Sequence, residues 1–202
     1  MNRAHVKLLH IDSSILGEKS ASRALSREIV SRWQRALPEL EVAYLDLAAA
    51  PISHLGTGAA TDPDTVALER ETAREARVLE DFLRADVIVI GAPMYNFTVP
   101  SHLKAWIDCI VVAGKTFRYT AAGPVGLAGG KRVVVALSQG GVLHPGDAGE
   151  HVETYLRHVF QFIGITDVTV VRAEGLAISP ESRQKGFDAA LASIPAPHAL
   201  AA

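Results

Sequence analysis

Apolar residues recur along this chain with two periods, and the periods alternate. Val6–Ile11 is a short strand-like run, Asp12–Lys19 after it is small and polar, and Leu25, Ile29 and Trp33 then fall at helical spacing before Pro38. Leu40–Leu47 alternates apolar with polar positions as a half-covered strand does, and Pro51, Gly56 and Gly58 mark an irregular stretch. From Asp62 to Arg84 a sparse stripe through Val66, Ala73, Ala76, Leu79 and Phe82 predicts a long surface helix, with Glu80 set four residues before Arg84. Asp86–Gly91 and Lys131–Leu137 differ, because their apolar residues are consecutive; that is the pattern of strands covered on both faces in the middle of a parallel sheet. Helices are predicted after Pro100 (Leu103 to Ile110), over Glu150–Phe162 and over Glu181–Ile194, and Val168–Arg172 is a fifth strand. Lys115–Gly130 contains four glycines and one proline, so an excursion beyond the sheet is expected there rather than a helix.

Strands that alternate with helices require parallel pairing with right-handed crossovers, and helices on both faces make an α/β three-layer sandwich. The 202 residues, 49% hydrophobic and 21% charged, suit one domain over 1–202 with a substantial core. A formal charge of −2 offers no global field for nucleic acid or an anionic membrane. Cys109 is the only cysteine, which excludes an intrachain disulfide and a cysteine metal cluster, and it reads as a packing residue. The eight histidines form no H-E-x-x-H or other compact metal pattern, so no metal is expected. The apolar runs are too short to span a bilayer and Met1–Lys7 is unlike a secretory signal; a soluble, cytoplasmic protein is expected.

In a sheet of this kind ligands bind beyond the carboxyl ends of the strands, where strand order reverses. The first such loop has no G-x-G-x-x-G and no P-loop motif, but it places Ser14, Ser20 and Ser22 around a helix start, either as a phosphate cradle or with Ser20 or Ser22 as an ordinary N-cap. The loop after the third strand holds Met94, Tyr95, Asn96 and Phe97, which supply apolar faces and polar groups to a planar ring, unless Met94 and Phe97 simply pack under the next helix. After the fourth strand come Ser138, Gln139, Gly140 and Gly141, where glycine admits close backbone approach or simply makes a turn. His144 follows, exposed or reaching the pocket; Trp106 and Ile110 suit a core or a two-fold interface.

At Ala92-Pro-Met-Tyr-Asn-Phe97, Leu103-Lys-Ala-Trp-Ile-Asp108, Thr116-Phe-Arg-Tyr-Thr120 with Gly123-Pro-Val-Gly-Leu127, Ser138-x-Gly-Gly141 and Phe162-Ile-Gly-Ile-Thr-Asp167, the sequence resembles the FMN-dependent NADH azoreductases and quinone reductases. The resemblance covers nearly the whole chain. It implies a flavodoxin-like fold with a five-stranded parallel sheet in the order 2-1-3-4-5, bound FMN, NADH or NADPH as donor, quinones and aromatic azo compounds as acceptors, and a homodimer. It further implies that Ser14, Ser20, Ala21 and Ser22 hold the phosphate, that Met94, Tyr95, Asn96 and Phe97 line the isoalloxazine, and that Ser138, Gln139, Gly140 and Gly141 complete the flavin site. Tyr119 and Phe162 fall where the family shapes its substrate pocket, and Gln139 stands where family members often carry Arg. One cavity serving donor and acceptor in turn implies ping-pong kinetics without a protein nucleophile.

Three other classes compete. A hydrolase at Ser138 lacks the G-x-S-x-G elbow. Phosphoryl transfer at Asp12 lacks the neighbouring carboxylate that would hold magnesium, since Ser13 and Ser14 follow. An electron-transfer module that binds FMN without a small acceptor of its own would dock through an acidic surface, which a charge of −2 does not provide.

Overall fold

A computed structural model describes residues 5–54, 65–144 and 151–197. The chain runs β1 (Lys7–Asp12), a single 3-10 turn (Gly17–Lys19), α1 (Ala21–Ala36), β2 (Glu41–Asp46), α2 (Thr65–Arg84), β3 (Val87–Pro93), α3 (Ser101–Ile110), β4 (Phe117–Thr120), β5 (Gly123–Gly126), β6 (Arg132–Ser138), α4 (His151–Phe162), β7 (Asp167–Ala173) and α5 (Pro180–Ser193). The stretch around Gly56 and Gly58, the expected helix start at Asp62, the side chain of Val66 and the helix start at Glu150 lie outside the described residues.

β2, β1, β3, β6 and β7 form one sheet in that order, parallel throughout. Counting only these strands, the order is 2-1-3-4-5, and it reverses between β1 and β3, which marks the switch point. The consecutive apolar runs divide by residue parity. Ile88, Ile90, Val133 and Val135 join Phe82 of α2, Trp106 of α3 and Phe160 of α4 on one face. Val87, Val89, Val134 and Ala136 join Leu25, Ile29 and Trp33 of α1 and Ala190 of α5 on the other. Two dry layers therefore hold β3 and β6 in register. Trp106 and Ile110 are fully buried within this core, Trp106 edge-on to Phe82 at 6.0 Å. Half-burial pushes the Cys109 thiol up to about 11, as suits a packing residue.

The excursion between α3 and β6 is more regular than its glycines suggest: β4 and β5 pair as an antiparallel hairpin. Thr116, wholly buried, anchors its base by donating to the Ile110 carbonyl (2.6 Å) and accepting from Val112 N–H (2.9 Å). The same end rests on the turn between α4 and β7, where Ala128 N–H donates to Ile163 O (2.8 Å) and the Phe117 and Phe162 rings meet at 4.7 Å. Gly126 makes that approach possible, because a β-carbon there would stand 2.2 Å from the Gly164 nitrogen. Backbone on both sides cannot yield as a side chain would. We therefore expect Gly126→Ala to cost about 2 kcal/mol in urea unfolding and to speed hydrogen exchange at Ala128 N–H, while the sheet amides stay protected.

Candidate functional site

Parallel register brings three loops out side by side. Asp12 pairs with Gly91, Gly91 with Ala136, and Pro93 with Ser138, so the loops that begin at Ser13, Met94 and Gln139 leave the sheet together. Short bonds join them. Ser13 donates from its N–H (3.1 Å) and its hydroxyl (2.7 Å) to the Gly91 carbonyl, and the His102 ring meets the Ser13 carbonyl. The Ser14 hydroxyl and the Tyr95 phenol lie 3.0 Å apart, and Ile15 N–H donates to the same phenol at 3.2 Å. Met94 N–H donates to the Ser138 carbonyl at 2.8 Å, which links the second loop to the third.

At the start of α1 the N-cap reading holds for Ser20, and the first turn keeps donors free beside it. Ser20 is the N-cap, its hydroxyl accepting from Arg23 N–H at 3.3 Å, and it also meets the Ser22 hydroxyl at 3.0 Å. The N–H groups of Ala21 and Ser22, in the first turn, have no acceptor among the described residues. Unsatisfied donors at the positive end of a 16-residue helix form an anion-competent site beside hydroxyls. Grooves open on either side of the first loop. One of about 690 Å³ is lined by Ile15, Tyr95, Asn96, His102 and Tyr155 among others, and one of about 710 Å³ by Lys19, Ser20, Ala21, Arg183 and Phe187 among others.

The second loop is a tight turn closed by reciprocal Tyr95–Thr98 backbone bonds of 2.9 and 3.1 Å. Both central residues are left-handed, Asn96 at φ 48° and Phe97 at φ 65°. Asparagine tolerates this, but phenylalanine bears a penalty of about 1 kcal/mol. The Phe97 ring nonetheless projects into solvent, 69% exposed, while Met94 packs against the core. Of the two residues that could have packed beneath α3, only Met94 does so.

In the third loop Gln139 is 4% exposed and its amide donates to Glu174 at 2.8 Å, leaving its carbonyl oxygen buried without a partner. Gly140 and Gly141 bind the segment after β7 through their carbonyls, which accept from Ala177 (3.0 Å) and Gly175 (2.8 Å). Their own N–H groups have no acceptor among the described residues. A β-carbon on Gly141 would meet nothing within 4 Å, so this glycine faces open space. His144 is exposed. Tyr119 and Phe162 both meet Phe117, at 5.4 and 4.7 Å, so the hairpin gathers them; no hydrogen bond or ring contact joins them to the three loops among the described residues.

Beneath the first loop lies a polar cluster that is buried at Asp12, Ser26 and Arg23 and opens to solvent at Tyr44. Arg23 pairs in a fork with Asp46, both bonds 2.7 Å, and reaches the Ser14 carbonyl and the Tyr44 phenol. Tyr44 donates to Asp12 (3.1 Å), whose other oxygen accepts from Ser26 (2.8 Å), and the His10 ring lies 3.0 Å from Ser26. The Arg23 hydrogen bond holds the Asp46 carboxyl down at about 2, and Arg23 itself is raised chiefly by the same bond. Burial and then the nearby Asp12 charge push the Tyr44 phenol up to about 12. Gly91 lets β3 pass this cluster, since a β-carbon would lie 2.4 Å from the Asp12 Oδ1. The readable signal was an Arg three residues after a capping Ser, where an acid is the usual choice.

A parallel sheet with reversed strand order and ligand-competent loops at the switch point defines a flavodoxin-like α/β protein. The model of the flavodoxin-like fold family matches residues 6–196, and the chain belongs to that family. It is 55% identical over 193 residues to an FMN-dependent NADH:quinone oxidoreductase of Bradyrhizobium diazoefficiens, covering 92% of this chain and 96% of that one. It is 56% identical over 196 residues to an enzyme of the same name from Pseudomonas putida, covering 94% and 96%. Among solved structures it superposes on an azoreductase of Bacillus anthracis with a TM-score of 0.82 at 29% identity, covering 94% and 96%. An FMN-dependent NADH-azoreductase of the same species, solved in complex with FMN, gives 0.79 at 26% identity, covering 94% and 97%. No helix among the described residues is long and apolar enough to cross a membrane.

The Asp46 carboxyl gives the cluster a pH signature. Its folded value lies below the ordinary 3.8, so its contribution is complete above that value and is lost as pH falls toward about 2. In urea melts the stability gap between wild type and Asp46→Asn should be widest near neutral pH and shrink by about 2 kcal/mol between about pH 5 and about pH 2. A gap that does not change with pH would contradict the ion pair.

Proposed function

We propose that this chain is an FMN-dependent NADH:quinone oxidoreductase that also cleaves aromatic azo compounds, working by a ping-pong cycle. The observation that carries the reading is the joined set of loops at the switch point, with free N–H groups at the start of α1 and an open glycine edge at Gly141. The groups present fit FMN: hydroxyls and a helix N-terminus suit a phosphate, an exposed Phe97 and a partly buried Met94 suit a flat ring, and the Gly140 and Gly141 amides suit its polar rim. The names of the relatives and of the FMN-bound neighbour support the same cofactor, donor and acceptors.

The chemistry that bound FMN supplies is two-electron transfer: a hydride taken from NADH is passed on, with a proton from solvent, to reduce a quinone to its hydroquinone. An azo bond needs two such turnovers to become two amines. The protein's share is to hold and to polarise. Ser14, Ser20, Ala21 and Ser22 hold the phosphate, and Met94, Tyr95, Asn96 and Phe97 fix the plane of the ring. Ser138, Gln139, Gly140 and Gly141 frame its far edge, where amide N–H groups stabilise negative charge that develops on reduction. Gln139 acts there only by shaping that edge, because its backbone is bonded to Ala173 and Leu176 and its side chain is tied to Glu174, which leaves the free N–H groups of Gly140 and Gly141 to do the polarising. Tyr119 and Phe162 bound the acceptor side in a homodimer, and the protein works in the cytoplasm with NADH or NADPH as donor.

The purified protein should show a flavin spectrum that bleaches with NADH under anaerobic conditions and recovers on adding quinone. Colourless protein that FMN cannot reconstitute contradicts the reading. A flavin that bleaches but returns no electrons to quinone or azo dye leaves an electron-transfer module instead. Because a β-carbon at position 141 meets nothing within 4 Å among the described residues, Gly141→Val should leave the melting temperature of the apoprotein unchanged and weaken FMN binding by about tenfold or more. Full FMN retention in this variant would remove the third loop from the site.

A further inference from the structure

Arg23 stands where physical chemistry disfavours it. It is the third residue of α1, in the turn where the helix dipole repels cations and where the partner of a capping serine is commonly an acid. It is also buried, 8% exposed, and a buried cation is costly unless fully paired. Its bonding explains why it persists. The Nε and Nη2 groups both donate to the Ser14 carbonyl, at 3.1 and 2.8 Å. The remaining N–H groups go to the two Asp46 oxygens, each 2.7 Å, and to the Tyr44 phenol at 3.2 Å. A guanidinium has five N–H donors. All five are engaged within the chain, so none is left for a ligand.

We propose that Arg23 is a positioning residue for the flavin phosphate, one that never touches the phosphate and acts through Ser14. The double bond to the Ser14 carbonyl fixes the orientation of the peptide between Ser14 and Ile15. That peptide points Ile15 N–H at the Tyr95 phenol (3.2 Å), and the same phenol meets the Ser14 hydroxyl (3.0 Å). One rigid fork thus sets the first loop against both the start of α1 and the second loop. Asp46 holds the fork from behind, and its oxygen also accepts from Ala48 and Ala49 N–H (3.0 and 3.1 Å), which roots it in the end of β2. Lysine cannot substitute, because its compact ammonium has three donors and no planar fork.

The proposal rests on the reading that the phosphate sits at the first loop, and flavins with and without that phosphate separate the two. Apoprotein is titrated with FMN and with riboflavin by flavin fluorescence, for wild type, Arg23→Lys and Asp46→Asn, with thermal melts of each apoprotein. Arg23→Lys should weaken FMN by about tenfold or more and riboflavin by no more than about threefold. Asp46→Asn should shift the two ligands in the same sense. Equal weakening of both flavins would make Arg23 a structural residue only, and FMN affinity that stays within tenfold of wild type would overturn its role. Tighter FMN binding in Asp46→Asn would mean that the released guanidinium is a direct ligand, and it too would overturn the proposal. Should Arg23→Lys fail to fold, Asp46→Asn decides. Failure of wild type to prefer FMN over riboflavin would instead remove the phosphate from the first loop.

Discussion

The parallel alignment of β1, β3 and β6 is the constraint on which the ligand end of this molecule depends. Because these strands run the same way and stop at matched positions, three loops that are distant in sequence emerge as neighbours. Antiparallel pairing would send them to opposite ends of the sheet. The alignment is enforced by burial on both faces, since a slip of one residue would exchange the residues of the two core layers. The helices that provide those layers also provide the chemistry: α1 covers one face and presents its N-terminus at the rim.

Unfavourable features concentrate at that rim. Phe97 is left-handed and exposed, the Gln139 oxygen is buried without a partner, and Arg23 is a cation in the first turn of a helix. Each would be avoided by a chain selected for stability alone, and a dry, close-packed core elsewhere can offset a few kcal/mol of such cost. Trp106 Nε1, buried without a partner in the core, is a cost of the same kind away from the rim; the gathering of the other three at the switch point is a physical argument for a ligand there.

Much of the fold was legible in the sequence because strands buried on both faces leave consecutive apolar residues, as Val87–Ile90 and Val133–Leu137 do. The three loops at the strand ends followed from that alternation. The β4–β5 hairpin did not, since strands of four residues, the second of them glycine, proline, valine and glycine, carry too little pattern. The alternatives for Ser20 were undecided because a cap and an anion site use the same serine. Trp106 and Ile110 suited a core or an interface equally well, and only packing places them inside. Of the Arg23–Asp46–Tyr44–Asp12 cluster only the position of Arg23 left a signal; its partners did not, because they meet it across the β1–β2 edge with no spacing to join them. The same holds for Gln139 and Glu174, thirty-five residues apart.

A crystal structure of the protein grown with FMN measures the central claim most directly. The account predicts the ring between the Met94–Phe97 turn and the Gly140–Gly141 edge, with its phosphate at the Ala21 and Ser22 amides. Electron density for the flavin away from the ends of β1, β3 and β6, or a rim filled by the chain's own side groups, would contradict it.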